Sequence, residues 1–328
     1  MSYTTKIHTL STTIPTFFDT NFVSENQQIL LPILEEKKVA LFIKREDLIH
    51  PIVSGNKFRK LKYNLQEAKK LKKKAVLTFG GAYSNHIAAT AVAGKLVGLK
   101  TFGIIRGDEL GKNLPQTIAE NATLKIAQDH GMKFHFISRE LYRQKLSFGF
   151  IEKMKNKWGD FYLIPEGGTN CLAVDGCQEI LTPQDAAFDY VCASVGTGGT
   201  LAGLIKSLKK KQKVIGFPAL KGNFLSEEIK KYTIKNNNWS LKKDYHFGGY
   251  AKYNKELIIF INKFKADTGI QLDPVYTGKM IFGVLDLIEK DTFKEGTKIL
   301  AIHTGGLQGI AGINNLLKQK EEPLINVL

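Results

Sequence analysis

The sequence predicts an α/β protein in which parallel sheets are covered by helices. Short apolar runs typical of buried strands alternate with longer segments of helical periodicity, and this alternation favours parallel sheets. Gly-rich segments follow several of these strands, at the places where such sheets bind ligands. The 328 residues, of which 43% are hydrophobic, can build one large core or two medium ones.

The predicted elements follow one another without a repeat or an obvious linker. Residues 1–38 are predicted to form an irregular arm with a few short elements. Strands are predicted at 39–45, 75–79, 100–105, 133–137, 161–164, 190–194, 213–217 and 298–302. Helices are predicted from about 56 to 71 and at 84–97, 113–130, 141–158, 171–181, 201–210, 255–268 and 278–290. Residues 221–250 show no clear period, and 236–238 look like a loop tip.

Residues 54–61 join the first strand region to an amphipathic helix. Their sequence is Ser-Gly-Asn-Lys-Phe-Arg-Lys-Leu. Gly55 allows a close turn, and Asn56 tolerates unusual backbone dihedrals. Lys57 is therefore expected at a loop-to-helix junction, where its side chain can point into a cleft. The simpler interpretation is one surface lysine among many, so the choice depends on the rest of the chain.

Four Gly-rich junctions follow predicted strands. They lie at 79–86, 165–170, 194–200 and 303–307. Because the carboxyl ends of parallel strands share one edge of a sheet, these junctions are the places where a ligand would bind.

The third junction has the features of a phosphate cradle. Glycines let backbone N–H groups approach a ligand, threonine hydroxyls add donors, and the following helix N-terminus favours an anion. The cradle residues are Gly196, Thr197, Gly198, Gly199 and Thr200. Leu201 replaces the third glycine of a dinucleotide fingerprint, and no Gly-Lys-Ser/Thr of a P-loop follows. A tight turn without a ligand remains the alternative.

Other patterns predict less chemistry. Ser84 and His86 do not predict a hydrolase, because near neighbours at a helix start do not face each other and no nucleophile elbow surrounds Ser84. Ser84 also suits an ordinary helix N-cap.

His303 is interpreted as structural, since no second metal ligand lies at a spacing typical of a metal site. Three cysteines without metal-type spacing are expected to be reduced and largely buried, and they are Cys171, Cys177 and Cys192. No metal is expected.

The net charge of +16 raises the question of nucleic acid. Lysines cluster at 69–74, 206–213 and 230–231, near predicted helix ends where they oppose the helix dipole. No interleaved aromatics accompany them, so solvated helix ends are favoured, and a polyanion-binding surface is the alternative.

No apolar run reaches membrane-spanning length, and the polar segment 1–20, interrupted by Pro15, lacks a signal pattern. We therefore expect a cytoplasmic protein with neither a membrane nor a nucleic-acid partner.

A lysine at a cleft junction together with an anion cradle indicates an amine nucleophile and an anionic cofactor. This is the arrangement that a pyridoxal 5'-phosphate enzyme needs, because a lysine forms the Schiff base while the cradle holds the phosphate.

Six motifs in one order resemble the 1-aminocyclopropane-1-carboxylate deaminase / D-cysteine desulfhydrase family. They lie at 44–47, 55–61, 84–86, 196–200, 273–279 and 303–306. The resemblance spans about residues 10–315 and is weak in 106–160 and 218–247. It implies the tryptophan-synthase-β type of fold, known as fold type II, with two open parallel-sheet domains. Residues 1–57 and 163–328 would form the larger cofactor domain and 58–162 a smaller inserted domain, with the active site in the cleft between them. A homodimer is also implied.

The resemblance implies a role for each matching residue. The catalytic set would be Lys57, which carries the cofactor and moves the α-proton, with Ser84, Tyr250 and Tyr276. The cofactor set would be Lys57, Asn85 at the phenolic oxygen, Gly196, Thr197, Gly198, Gly199 and Thr200 at the phosphate, and Thr304 near the pyridine nitrogen. The substrate set would be Ser84, Asn85, His86, Tyr250, Tyr276 and Thr277.

Thr277 and Thr304 favour the D-cysteine desulfhydrase members. Members that open the cyclopropane ring resemble one another in having Glu and Leu at these two positions. A threonine cannot supply an acidic charge near the ring nitrogen, and β-elimination of HS⁻ needs less electron withdrawal than ring opening does. Ser54 departs from the glycine common in the family.

The sequence therefore predicts a lyase or deaminase acting on a small amino acid. D-cysteine is the favoured substrate, giving pyruvate, ammonia and hydrogen sulfide. The alternatives are cyclopropane ring opening, a serine- or threonine-type dehydratase, a retained fold without turnover, and a basic nucleic-acid-binding protein.

Overall fold

A computed structural model describes residues 17–18, 22–209, 211–233 and 238–327. Half of the predicted N-terminal arm at 1–38, including Pro15, lies outside these residues, as do Lys210 and most of the predicted loop tip at 236–238. Within them the chain is α/β, as predicted. The strands are β1 Asn26–Ile29, β2 Ala40–Lys44, β3 Ala75–Gly81, β4 Lys100–Arg106, β5 Lys133–Ile137, β6 Tyr162–Leu163, β7 Tyr190–Val195, β8 Lys213–Pro218, β9 Trp239–Leu241 and β10 Lys298–Ile302.

Helices fill most of the connections between the strands. They are α1 Pro32–Glu36, α2 Asn56–Lys70, α3 Asn85–Leu96, α4 Leu114–Glu120, α5 Ala122–Asp129, α6 Arg139–Arg143, α7 Phe148–Trp158, α8 Cys171–Gln178, α9 Gly199–Ser207, α10 Leu225–Lys230, α11 Lys255–Thr268, α12 Thr277–Glu289 and α13 Gly309–Gln319. None of the helices among the described residues is long and apolar enough to cross a membrane.

The strands form two sheets. The larger has the order β1-β2-β10-β7-β8-β9, and the smaller has the order β5-β4-β3-β6. All neighbouring pairs are parallel except β1 with β2. In the larger sheet β7 lies between two strands. One is β8, which follows β7 directly in the sequence, and the other is β10, which comes much later in the sequence. The carboxyl ends of β7 and β10 therefore flank a crevice of the kind that binds ligands in open parallel sheets.

Both faces of the larger sheet are buried. One face packs against α11, α12 and α13 through residues such as Leu257 and Met280, and the other packs against α8 and α9 through residues such as Val174 and Leu204. In the smaller sheet, α2 and α3 cover one face while α6 and α7 cover the other. Burial on both faces explains why the central strands are continuous apolar runs rather than alternating ones.

Two predicted helices are each divided in two. The segment predicted as one helix at 113–130 breaks at Asn121, whose side chain accepts a hydrogen bond from Leu124 N at 2.9 Å. The segment predicted at 141–158 breaks at Ser147, whose Oγ accepts from Phe150 N at 3.4 Å. In both cases a polar side chain caps a new helix, which competes with continuing the previous one.

The structure adds α10, β9 and α13, which the sequence did not predict. β1 and α1 lie within residues 1–38, where a few short elements were expected. Cys177 and Cys192 are buried as expected, whereas Cys171 is exposed. The division into domains stays a prediction, which the two separate sheets support. Its boundary at 162 runs through β6, which pairs with β3 in the smaller sheet.

Candidate active site

Lys57 lies in the first turn of α2, and Gly55, just before this helix, allows that turn to lie against the loop after β10. Gly55 has a φ of +56°, and a Cβ at this position would lie 2.1 Å from Thr304 O. Only glycine allows this backbone to press against the loop after β10. Lys57 thereby reaches the cavity at the carboxyl ends of the strands, as predicted for a loop-to-helix junction.

The Lys57 amine is poised as a nucleophile. Burial, reinforced by the charge of Lys60, lowers the pKa of Lys57 to about 7. Its Nζ donates to Asn56 Oδ1 at 3.1 Å, and Asn56 Nδ2 donates to Thr200 Oγ1 at 2.8 Å. A substantial fraction of the amine is therefore neutral near pH 7, and a short hydrogen-bonded chain ties it to the third junction. A neutral amine is the form that attacks an aldehyde.

All four Gly-rich junctions meet around this cavity. The first contributes Ser84, Asn85 and His86, the second Gly167, the third most of 194–201 and the fourth 304–306. Segments that are far apart in sequence therefore converge on Lys57, as expected for the carboxyl ends of parallel strands.

The third junction leaves backbone donors free for an anion. Gly198 has a φ of +86° at the N-cap of α9, and no side chain caps this helix. The first N–H groups of a helix have no partner within it, so they point at whatever lies beyond its N-terminus. A Cβ on Gly199 would lie 2.8 Å from the side chain of Thr169, so the junction is also pressed against the second one.

Lys60 supplies a positive charge that sequence analysis missed. Its side chain is only 2% exposed, and it makes no ion pair among the described residues. Its Nζ donates to Thr169 Oγ1 at 2.9 Å, to Gly167 O at 3.2 Å and to Thr197 Oγ1 at 3.4 Å. A signal for it existed, because Lys60 lies one helical turn after Lys57 and so shares its face of α2.

Ser84 and Asn85 begin α3 with unused polar groups. Ser84 occupies the N-cap position, yet its side chain makes no cap hydrogen bond. Asn85 Nδ2 donates to Gly306 O at 3.3 Å. Asn85 Oδ1 is buried and finds no hydrogen-bond partner within the described part of the chain. A buried polar atom left in this state indicates a partner supplied by a ligand.

His86 is neutral, and its ring hydrogen-bonds to Thr78 rather than to Ser84. Its Nε2 lies 2.7 Å from Thr78 Oγ1, and Thr78 Oγ1 itself donates to Ile164 O at 2.9 Å. Nε2 therefore carries the proton. Burial, followed by the charges of Lys57 and Lys60, holds the pKa of His86 well below its usual value. This arrangement agrees with the rejection of a Ser-His hydrolase.

Tyr250 and Tyr276 lie side by side at the rim of the cavity. Their ring centroids are 6.2 Å apart with an interplanar angle of 65°. Burial, and then the neighbouring Tyr250, raise the pKa of Tyr276 well above its usual value. Tyr276 therefore stays a neutral phenol near pH 7, able to hydrogen-bond but unable to act as a phenolate base.

The two threonines that were expected to select the substrate lie in different places. Thr304 lines the cavity, as predicted. Thr277 does not: it is fully buried, and its Oγ1 donates to Asp273 Oδ2 at 2.6 Å while accepting from Asp273 N at 2.9 Å. The structure thus separates Thr277 from the other residues of the predicted substrate set.

His303 has a structural position. Its Nδ1 accepts from Gly305 N at 3.2 Å, and its Nε2 lies 2.7 Å from Gln271 O. Both ring nitrogens are used to hold the loop that carries Thr304. Among the described residues, no group of His, Cys, Asp and Glu side chains gathers as a metal site.

These residues fit pyridoxal 5'-phosphate. The uncapped start of α9 and the Lys60 ammonium suit a phosphate, and the neutral Lys57 amine suits an aldehyde. The unpartnered Asn85 Oδ1 belongs to a residue that lines the same cavity. Fold and site together define a pyridoxal-phosphate-dependent enzyme.

Comparison with known proteins agrees with this class. Residues 23–305 match the family described as pyridoxal-phosphate dependent enzyme. The chain is 33% identical over 294 residues to the bifunctional D-cysteine desulfhydrase/1-aminocyclopropane-1-carboxylate deaminase of Arabidopsis thaliana, covering 82% of this chain and 73% of that protein. It is 27% identical over 302 residues to the D-cysteine desulfhydrase of Klebsiella pneumoniae, covering 81% and 86%.

Solved structures give the same result. A crystal structure of an ACC deaminase homologue superposes with a TM-score of 0.73 at 29% identity, covering 91% of this chain and 94% of that one. A threonine deaminase from Solanum lycopersicum shares the fold with a TM-score of 0.61 at 18% identity, covering 87% and 79%. The chain belongs to the 1-aminocyclopropane-1-carboxylate deaminase / D-cysteine desulfhydrase family of pyridoxal-phosphate-dependent enzymes. The predicted family, fold class and cofactor are confirmed.

Proposed function

We propose that the protein is a lyase that converts D-cysteine to pyruvate, ammonia and hydrogen sulfide. The observation that carries this choice is that no carboxylate lines the Lys57 cavity within the described residues, where Thr304 contributes a hydroxyl. Without an acidic group, the site offers less support for a positively charged, strongly electron-withdrawing ring. Elimination of a good leaving group needs less electron withdrawal than opening a cyclopropane ring.

The chain's own residues divide the work as follows. When bound, pyridoxal phosphate supplies an electron sink for the α-carbon of an amino acid. The start of α9 and Lys60 would hold the phosphate, and Asn85 would orient the ring at its phenolic oxygen, as the family resemblance implies. Lys57 would hold the cofactor covalently, and its amine would move the α-proton of the substrate. Its pKa near 7 suits both taking and returning that proton.

The substrate is held by the first junction and the tyrosine rim. The unused Ser84 hydroxyl and the N-terminus of α3 suit the α-carboxylate. Tyr276, kept protonated, hydrogen-bonds near the leaving sulfur without competing for the α-proton. In the overall reaction the Cα–H and Cβ–S bonds break, HS⁻ leaves with the electron pair, and water completes the products pyruvate and ammonia.

Cyclopropane ring opening is the second candidate function. The Arabidopsis thaliana relative is named for both activities, and a relative from Bradyrhizobium sp., 26% identical over 309 residues, is named 1-aminocyclopropane-1-carboxylate deaminase. Thr277 no longer argues directly against it, because its side chain lies outside the cavity. The preference for D-cysteine therefore depends on Thr304 and the lack of a carboxylate.

One assay separates the candidates. Purified holoenzyme is given D-cysteine, D-serine, L-threonine or 1-aminocyclopropane-1-carboxylate, and release of the 2-oxo acid and ammonia is followed. We expect the highest kcat/KM with D-cysteine. Faster turnover of the ring substrate would contradict the argument from Thr304. Bound cofactor with no product from any of the four would indicate a fold retained without turnover. Light scattering of the same sample tests the homodimer that the family resemblance implies.

A further inference from the structure

Arg106 lies beside the candidate active site, in a position that the proposed reaction does not use. It ends β4 of the smaller sheet and lines a second cavity of about 170 Å³. That cavity shares Ser84, Asn85 and the two rim tyrosines with the Lys57 cavity. A substrate whose amino acid end lies at Lys57 can therefore extend toward Arg106 without leaving the cleft.

The last two residues of β3 lie between Arg106 and Ser84. A Cβ on Gly81 would lie 3.6 Å from Arg106 Nη2, and a Cβ on Gly80 would lie 2.9 Å from Ser84 Oγ. Because successive strand residues face opposite sides, the guanidinium and the Ser84 hydroxyl lie on the two sides of the carboxyl end of β3, and both line the second cavity. Since Ser84 suits the α-carboxylate, Arg106 is placed for a group further along the substrate.

Arg106 is solvent-exposed and is held by an aromatic ring rather than by a carboxylate. Its guanidinium lies over the Tyr142 ring at 5.6 Å, and it forms no ion pair with any described residue. By contrast, Lys145 lies over the same ring and pairs with Glu166 at 3.1 Å. Arg139 is paired with Glu109, and both line a neighbouring cavity that Arg106 also lines.

We propose that Arg106 determines specificity by binding an anionic group on the substrate side chain. Besides D-cysteine, the substrates that it would favour over neutral analogues are small amino acids whose β-substituent carries a carboxylate, sulfonate or phosphate. The planar guanidinium matches such oxyanions in a bidentate manner, and stacking on Tyr142 keeps it oriented at a low entropy cost. The inference rests on the proposed function, because it assumes that the amino acid end is held at Lys57.

The reaction stays balanced for such a substrate. With O-phospho-D-serine, the Cα–H and Cβ–O bonds break and phosphate leaves with the electron pair. One water is consumed, and the products are pyruvate, ammonia and inorganic phosphate. No oxidant or reductant is required, and Lys57 moves the same proton as with D-cysteine.

The test compares selectivity between D-serine and O-phospho-D-serine, both followed by pyruvate release. The measured quantity is the ratio of kcat/KM for the phosphorylated substrate to that for D-serine, so the difference in leaving group cancels between variants. We expect Arg106→Gln to lower this ratio about tenfold, mainly through KM of the phosphorylated substrate. Arg106→Lys should keep part of the ratio. Arg139→Gln, a nearby arginine that does not line the shared cavity, should leave it unchanged.

Two results would overturn the inference. Both leave the ratio unchanged in Arg106→Gln: unaltered kcat/KM values for both substrates would mean that the guanidinium is merely solvated, and an equal loss in both values would assign it to the common α-carboxylate. The proposed function is tested separately with D-cysteine, so it would stand even if the wild-type enzyme turned over neither of these two compounds. Calorimetric binding of D-aspartate and D-alanine to the holoenzyme then decides independently. Tighter binding of D-aspartate that is lost in Arg106→Gln supports the inference, and equal affinities refute it.

Discussion

Replacement of Lys60 by Met tests how the site holds its cofactor. The change removes a buried ammonium group whose partners are all neutral oxygens of the second and third junctions. These oxygens are not all orphaned, because Thr169 Oγ1 and Thr197 Oγ1 hydrogen-bond to each other at 2.6 Å. Losing an unpaired buried charge also removes its desolvation cost. The variant should therefore fold, and its defect should be in phosphate binding.

The size of the defect follows from the contact that is lost. A hydrogen bond between charged groups contributes about 1.5–3 kcal/mol, which is about a 10- to 150-fold loss in cofactor affinity. A second effect concerns Lys57, because the charge of Lys60 helps burial to lower the Lys57 pKa to about 7. In Lys60→Met that repulsion is gone while burial remains. The Lys57 pKa should rise, and cofactor capture should require a higher pH.

The assay is titration of cofactor-free protein with pyridoxal phosphate across neutral and alkaline pH, followed by the absorbance of the bound cofactor. Lys62→Met is the matched control. Lys62 lies on the same helix and is also largely buried, but its Nζ donates to both Glu179 oxygens at 2.8 and 2.9 Å. The control should affect stability and leave cofactor affinity unchanged. If both variants bind the cofactor like the wild type, with the same pH profile, Lys60 has no role in the phosphate site.

Three further predictions concern α2 and its entry. Lys57→Ala should abolish turnover and covalent cofactor absorbance while circular dichroism stays native, and retained activity would refute the assignment of the nucleophile. In the wild type, the rate of cofactor capture should fall as the pH drops through about 7, since the protonated Lys57 amine is not nucleophilic; a flat stopped-flow profile would contradict this. Gly55→Ala should lower the free energy of unfolding by about 2 kcal/mol or more, because a positive φ and a collision with Thr304 O combine. Gly98→Ala, with a φ of +75° but nothing within 4 Å, should cost less in the same denaturation experiment.

The fold was predictable where its pattern is local and strong. Central strands such as β3 and β7 are continuous apolar runs because they are buried on both faces. The edge strands β1 and β9 are only partly buried, so they carry little apolar signal. Helix α13 was missed because glycines at its start lower helix propensity, although its packing against the larger sheet compensates.

The site was predictable where glycine reports a backbone requirement. Gly55 and the glycines of the third junction mark a close approach and a positive φ, and both are visible in the sequence. Side-chain direction is not visible in the same way. Thr277 begins α12, and its hydroxyl turns back to Asp273, which also accepts hydrogen bonds from the N–H groups of Val275 and Tyr276. The motif at 273–279 therefore does not supply one set of pocket residues. Tyr276 lines the cavity, whereas Thr277 is buried behind it.

Three buried lysines show why other parts of the site could not be predicted from the sequence. Lys44, Lys60 and Lys279 are each at most 2% exposed. Apart from the position of Lys60 one helical turn after Lys57, nothing local distinguishes them from the many surface lysines. Lys44 pairs with Asp185 at 2.9 Å, so its charge is compensated within the protein. Lys279 donates to His246 O and Gly249 O at 2.8 Å each, which holds the segment leading to Tyr250.

Lys60 differs from both in its surroundings. It has hydroxyl and carbonyl partners like Lys279, yet it also lies at the open start of α9, beside the Lys57 amine. A buried ammonium is costly unless an anion compensates it. For Lys44 the anion is Asp185, which lies far away in sequence. For Lys60 no described residue supplies one, and we expect the phosphate of the cofactor to be the anion that compensates its charge.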